Sequence, residues 1–199
     1  DGSVLWRLAA SIDVIYDVDA LDDINGDGTP DAVLAGGDFE DRVFAVEGDS
    51  SGAGNVLWTA DTGNNYSLAT IEDLNNDGYK DVLAGSWGEN AVIALNGHTG
   101  ATLWTSTASL APMRIVPLDD VNDDGVPDLA VVGLMDDDVF VIDGSDGTNI
   151  WVRRGPASDS IWAIDRLEDI NDDGVNDVIA GSFDSWVIAM DGKTGDTIW

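Results

Sequence analysis

Cysteine is absent from the 199 residues, so no disulfide framework, thiolate metal site or cysteine nucleophile is available. Histidine occurs once, at His98, and lysine only at Lys80 and Lys193, which leaves few groups for acid–base or Schiff-base chemistry. Positive charge is scarce as well: 8 Lys and Arg stand against 39 acids, for a formal net charge of -31. A field of that sign repels nucleic acid and anionic membrane and attracts cations. Long apolar runs are also missing, since nothing approaches the ~20 residues of a membrane-spanning helix. The opening Asp1-Gly2-Ser3-Val4 lacks the basic start and apolar stretch of a secretory leader, so a mature or excised segment is expected. Sustained helical periodicity is absent, which points to an all-β chain.

What the chain does have is a repeat. The segments Asp23–Asp31, Asp73–Asp81, Asp120–Asp128 and Asp169–Asp177 share the pattern Asp-x-Asn-x-Asp-Gly-x-x-Asp and are spaced by 50, 47 and 49 residues. That period is about one propeller blade. Each unit reads as an alternating segment, the acidic loop, an apolar run, a hairpin, a second apolar run, a Gly-rich turn and a segment ending in Trp. These are four short strands; in the second unit they are expected at Leu68–Asp73, Asp81–Gly85, Ala91–Leu95 and Ala101–Trp104. Strands so short bury their faces only when sheets stack radially, as in a β-propeller of four-stranded antiparallel blades. The expected division is an unpaired strand at 1–10 and blades at 11–60, 61–107, 108–155 and 156–199. Trp58, Trp104, Trp151 and Trp199 close the blades, and Trp6 repeats the closing motif without a blade of its own. Four blades then form a closed ring, a piece of a larger one, or a unit that associates through its unfinished ends as a dimer or fibre.

Oxygen donors at loop positions 1, 3, 5 and 9, with Gly at 6 and a backbone carbonyl at 7, suit calcium, a hard cation that takes ~6 to 8 oxygens. The expected ligands are Asp23, Asn25, Asp27, Thr29 and Asp31 in the first loop and Asp73, Asn75, Asp77, Tyr79 and Asp81 in the second. Asp120, Asn122, Asp124, Val126 and Asp128 serve in the third, and Asp169, Asn171, Asp173, Val175 and Asp177 in the fourth, for about four ions per chain. Thr29, Tyr79, Val126 and Val175 contribute only their backbone oxygens. A plain EF-hand is excluded, because position 12 is Leu34, Ala84, Val131 or Ala180 rather than Glu. The competing reading is a set of Asx turns, in which Asn and Asp bond their own backbone. Turn chemistry does not require oxygen donors at four fixed offsets four times over.

These loops resemble the calcium loops of FG-GAP repeats, found in integrin α-subunit propellers and in secreted bacterial proteins. Ala94-Leu-Asn-Gly-His-Thr-Gly-Ala-Thr-Leu-Trp104 and Ala189-Met-Asp-Gly-Lys-Thr-Gly-Asp-Thr-Ile-Trp199 are similar to the tryptophan-docking repeats of quinoprotein-like propellers. The first resemblance implies an extracellular or cell-surface calcium-binding module of the adhesion kind; the second implies fold and not chemistry. FG-GAP propellers usually have seven blades, a departure that leaves closure open.

No catalytic set stands out. His98 reads as an exposed turn residue, and acids outside the loops, such as Asp19, Asp165, Asp136, Asp137 and Asp138, form pairs by chance in so acidic a chain. The expected function is therefore structural or recognition, without catalysis, toward a protein, a carbohydrate or further copies of the chain. The alternative is a fragment of a quinoprotein-like or polysaccharide-degrading enzyme. A ligand face is expected opposite the acidic loops, where Tyr16, Tyr66, Met113 and Trp162 precede them by seven residues and Phe39, Trp87, Met135 and Phe183 occupy turns. Arg114, Arg153 and Arg154 are expected on that face. Asn65-Tyr66-Ser67 matches a glycosylation acceptor pattern.

Overall fold

The computed structural model describes residues 14–37, 41–48, 55–107, 111–134, 137–155, 161–183 and 185–199. Trp6 and the expected strand at 1–10, together with Phe39, Met135 and Asp136, lie outside the described residues. Every strand found is β and antiparallel to its neighbours. The first blade consists of β1 (Val14–Ala20), β2 (Ala32–Gly37), β3 (Arg42–Val46) and β4 (Val56–Asp61) in sequential order. The second is β5 (Asn65–Ile71), β6 (Asp81–Ser86), β7 (Ala91–Leu95) and β8 (Thr102–Ser106). The third is β9 (Pro112–Pro117), β10 (Leu129–Gly133), β11 (Asp138–Ile142) and β12 (Asn149–Arg154).

The fourth blade has three full strands and a closing segment that ends with the sequence at Trp199. β13 (Ile161–Arg166), β14 (Val178–Ser182) and β15 (Val187–Met190) form a sheet, and the last residues lie along β15, with a bridge between Met190 and Thr197 and backbone bonds from Ala189 to Trp199 O at 3.0 Å and from Ile198 to Ala189 O at 2.8 Å. The innermost strands begin earlier than the alternation suggests. In the second blade, β5 starts at Asn65 and ends at Ile71, because a bulge between Asn65 and Ser67 lets the strand continue through Tyr66.

Successive blades pack through their innermost strands, β1 on β5, β5 on β9 and β9 on β13. Each junction carries its own apolar core. Val33, Ala35 and Val43 meet Leu68, Val82 and Ala84 at the first. Leu83, Val92 and Ala94 meet Leu129, Val131 and Ile142 at the second. Ala130, Val132 and Val139 meet Ile164, Val178 and Ala180 at the third. The middle strands β6, β7 and β10 are buried along their whole length, so β7, β10 and residues 82–85 of β6 are unbroken apolar runs rather than alternations. The first and fourth blades do not pack on one another in this way, so the described residues form an open arc rather than a ring.

Candidate metal centres

All four acidic loops fold alike, and the backbone explains their glycines. Position 6 is left-handed in each, with φ of 91°, 91°, 91° and 93° at Gly28, Gly78, Gly125 and Gly174. Position 4 is left-handed too, at Gly26, Asn76, Asp123 and Asp172, and Asn and Asp are the side chains that tolerate this region best. The chain thereby coils its N–H groups around the acidic side chains. Position 1 accepts the position 6 amide: Gly28 to Asp23 at 2.7 Å, Gly78 to Asp73 at 2.7 Å, Gly125 to Asp120 at 2.7 Å and Gly174 to Asp169 at 2.8 Å. Position 5 accepts the position 7 amide, with Thr29, Tyr79, Val126 and Val175 donating to Asp27, Asp77, Asp124 and Asp173 at 2.7 to 3.0 Å. Asn25, Asn122 and Asn171 accept from position 5 in the same manner.

The position 9 carboxylates do something different. Asp31, Asp81, Asp128 and Asp177 are buried, and each spans two segments. One oxygen accepts the amide of position 2, from Ile24, Leu74, Val121 or Ile170 at 2.7 to 3.0 Å. The other accepts the amide of the glycine in the turn between the third and fourth strand positions, from Gly48, Gly97, Gly144 or Gly192 at 2.9 to 3.0 Å. A Cβ on any of these glycines would lie 1.9 Å from the position 8 carbonyl oxygen, which fixes glycine there.

Electrostatics divide the loops accordingly. The Gly28 amide leads in holding Asp23 below the usual carboxylate range, and the Gly174 amide does so for Asp169. Burial works against this at Asp73, where amides led by Gly78 still lower it. Burial dominates at Asp81 and Asp128, pushing each up to about 6, with neighbouring loop carboxylates adding to the rise.

The structure adds one residue per site that the loop pattern does not reveal. The residue before each turn glycine carries a side-chain oxygen (Glu47, Asn96, Asp143, Asp191), and in three blades it reaches the loop. Asn122 donates to Asp143 at 2.8 Å and Asn171 to Asp191 at 3.0 Å, while Asn96 donates to Asp77. The signal in the sequence was the recurrent acid or amide directly before Gly in the second turn.

By donor chemistry the loops fit a hard dication: carboxylate and amide oxygens outnumber every other side-chain donor, and each oxygen that accepts one amide keeps a second lone pair. Among the described residues, however, no three carboxylate or imidazole groups already converge into an ion site. The amide contacts are the network that the Asx-turn reading requires, and the same network pre-winds the chain around the donors.

Opposite these loops, Tyr16 lies 4.4 Å from Tyr66, and Tyr66 lies 4.7 Å from Trp87, centroid to centroid. Asn64, Tyr66, Trp87 and Gly88 line a recess of about 370 Å³ there, and the Asn64 side-chain oxygen is buried without a partner. Trp162 and Phe183 pair at 6.0 Å in the fourth blade. The expected ligand face is thus aromatic, but two of its three arginines are committed elsewhere. Arg153 donates to Gly195 O and pairs with Asp196 in the next blade, and Arg154 pairs with Asp137 at 3.2 Å. Asp19, considered for catalysis, accepts the Thr70 amide at 2.8 Å and its hydroxyl at 2.9 Å across the first junction. His98 is exposed and its ring lies against that of Tyr79, tilted by 58° with centroids 4.3 Å apart. Asn65 is fully buried and bonds Thr62 at 2.8 Å, so the glycosylation pattern is not accessible in the folded chain.

No protein-family model and no curated protein matches the chain. Solved structures do. BBS1N in complex with ARL6DN, soaked with mercury, aligns with a TM-score of 0.65 at 17% identity, covering 90% of this chain and 49% of that one. The lead-soaked form of the same complex gives 0.63 at 17% identity over 88% and 52%. BamB from Moraxella catarrhalis gives 0.53 at 17% identity over 85% and 48%. The chain therefore spans about half the length of these similar structures, and what they share with it is the β-propeller fold.

Proposed function

We propose that the chain is a calcium-stabilised, non-catalytic propeller module that works by binding a partner outside the cell, with its loops acting as FG-GAP-type ion sites. The observation that carries this reading is the fourfold identity of the loops: Asp, Asn, Asp and Asp at positions 1, 3, 5 and 9 on one left-handed backbone path. Asp23, Asn25, Asp27 and Asp31, with the Thr29 carbonyl, would hold the first ion, and the corresponding residues of the other loops the rest. A bound ion supplies positive charge among carboxylates that otherwise repel one another.

Calcium on this reading reaches beyond its loop. Gly97 gives its amide to Asp81 and its carbonyl to the Trp58 Nε1, and Gly144 and Gly192 do the same for Asp128 with Trp104 and for Asp177 with Trp151. Anchoring a position 9 carboxylate thus anchors the peptide on which the previous blade's tryptophan rests. Extracellular calcium, in the millimolar range, suits such sites. The aromatic recess at Tyr66 and Trp87, with the unpartnered Asn64 oxygen, is the face offered to a protein or carbohydrate partner.

The test is metal analysis of protein dialysed against calcium, followed by thermal melting with and without chelator. About four ions per chain and a clear fall in melting temperature on chelation are expected. No bound calcium and an unchanged melt would return the loops to ordinary Asx turns.

A further inference from the structure

A bulge interrupts the pairing of the innermost strand at the same place in every blade. The register skips Tyr16 in the first blade, Tyr66 in the second, Met113 in the third and Trp162 in the fourth. A bulged residue is left out of the ladder and its side chain is re-aimed. Each blade thus gives up a pairing to turn one large side chain toward the face opposite the acidic loops, and no small residue occupies the position.

The second blade lies in the interior of the arc, with described blades on both sides, and adds Trp87 from the turn between β6 and β7. That turn is held in place: Trp87 donates its amide to Asn64 O at 2.7 Å, Glu89 to Ser86 Oγ at 3.1 Å and Asn90 to Trp87 O at 3.2 Å. Gly88 keeps the space beside the indole clear, since a Cβ there would lie 3.2 Å from Asn64 N. Tyr16, Tyr66 and Trp87 form a row of contacting rings, tilted by 34° and 57°, beside the recess of about 370 Å³. Around it stand exposed Glu89 and Asn90, and Asn64 with its unpartnered side-chain oxygen.

Size and charge select the occupant. Tyr16 and Trp87 are each 37% exposed, so of the ~150 to 250 Å² that such a side chain can bury, each offers roughly 60 to 90 Å². Three rings of this kind present less than about 300 Å², far short of the ~800 Å² that each partner covers in a standard protein interface. A caged cation needs open space between ring faces, and these rings fill it by lying 4.4 and 4.7 Å from one another. An acidic polymer meets a net charge of -31, and Arg42 and Lys80, the cations of the described first and second blades, are paired with Asp61 and Glu72. The surface therefore suits a ligand that is uncharged, flat and apolar on one side, with hydroxyl groups around its edge.

We infer that the recess binds a neutral glycan, with one sugar ring stacked on Trp87 and Tyr66 and one hydroxyl donating to Asn64 once that amide turns its oxygen toward the ligand. The inference rests on the reading of this face as the one offered to a partner, and not on the ion sites.

Titration calorimetry on the whole chain in calcium tests it, with cellohexaose, xylohexaose, mannohexaose, laminarihexaose and chitohexaose as neutral probes and hexagalacturonate and hexalysine as charged ones. At least one neutral sugar should bind with a Kd of about 1 mM or tighter, and Trp87→Ala should weaken it at least about tenfold. Trp87→Phe, which keeps a ring, should recover part of that loss, and Thr105→Ala on an outer strand should leave binding unchanged; circular dichroism verifies that each variant is folded. No binding of any neutral probe overturns the proposal, as does binding that Trp87→Ala leaves intact. Binding of hexalysine or hexagalacturonate at Trp87 in place of a neutral sugar overturns it too. Calcium content of the same sample separates this failure from a failure of the ion sites, and mass spectrometry of the recovered sugar shows whether binding occurs without cleavage.

Discussion

Two glycines of the third blade, Gly125 and Gly147, are both left-handed, with φ of 91° and 77°, yet the structure assigns them different costs on conversion to alanine. A Cβ at Gly125 meets nothing within 4 Å, so Gly125→Ala carries only backbone strain, about 1 to 2 kcal/mol. A Cβ at Gly147 would lie 2.7 Å from Cε3 of Trp104 and 3.0 Å from its Cδ2, so the indole must shift as well. That shift stretches the 2.7 Å bond from Trp104 Nε1 to Gly144 O and adds overpacking of roughly 1 to 3 kcal/mol. Gly147→Ala should therefore lose about 2 to 5 kcal/mol in all. At roughly 2 to 4 °C per kcal/mol for a chain of this size, its melting temperature should lie several degrees below that of Gly125→Ala. Both melts are run in chelator, so that any ion held by the Gly125 loop does not enter the comparison, and tryptophan emission reports the indole's movement. Equal melting temperatures would refute the argument that the indole is clamped against the turn.

Three further outcomes follow from the same geometry. Asp81 and Asp128 bind their protons more tightly folded, at about 6, than at the ordinary 3.8. The stability they contribute to the ion-free protein is thus full below about pH 3.8 and is lost as pH rises through about 6, by at most about 3 kcal/mol per carboxylate. Chelated melts between pH 4.5 and 7 check this, and calcium should flatten the decline. Arg153→Met keeps the aliphatic stem but loses the bond to Gly195 O and the exposed pair with Asp196, and should cost no more than about 1 to 2 kcal/mol in denaturant unfolding. Asn65→Asp buries a charge where the present side chain donates to Thr62, and should lower stability by more than 2 kcal/mol at pH 7 while shifting upward in melting temperature on acidification.

The repeat made the architecture legible because four independent copies agreed on period, loop and closing tryptophan, and no single strand had to be recognised alone. Less visible was anything that one blade does to another. Asp17 and Asp19 look like surplus acid in the sequence, but they accept amides from Leu68 and Thr70 across a junction 51 residues away in the chain. Arg153 looks like a free cation and is a clamp for the same reason. The position 9 aspartates look like ligands alone in the sequence, and their role as pins for the turn glycines depends on a contact 15 to 17 residues downstream that no local pattern encodes.

The Asp–Gly–Trp relay changes what removal of an ion should do. If each loop stabilised only its own blade, four losses would add independently, as for well-separated sites. Here the peptide held by Asp81 receives Trp58, the one held by Asp128 receives Trp104, and the one held by Asp177 receives Trp151, so each loop lies beneath the junction that precedes it. A repeat array behaves as a chain of blade stabilities joined by nearest-neighbour terms, and on this geometry an ion held as proposed would act on the neighbour term. Disabling the third loop with Asp124→Ala should then loosen Trp104, in the blade before it, more than Trp151 in its own blade. Single-tryptophan quenching at the two positions decides the matter: greater exposure at Trp104 supports coupling through the glycine, and greater exposure at Trp151 means that each loop supports only its own blade.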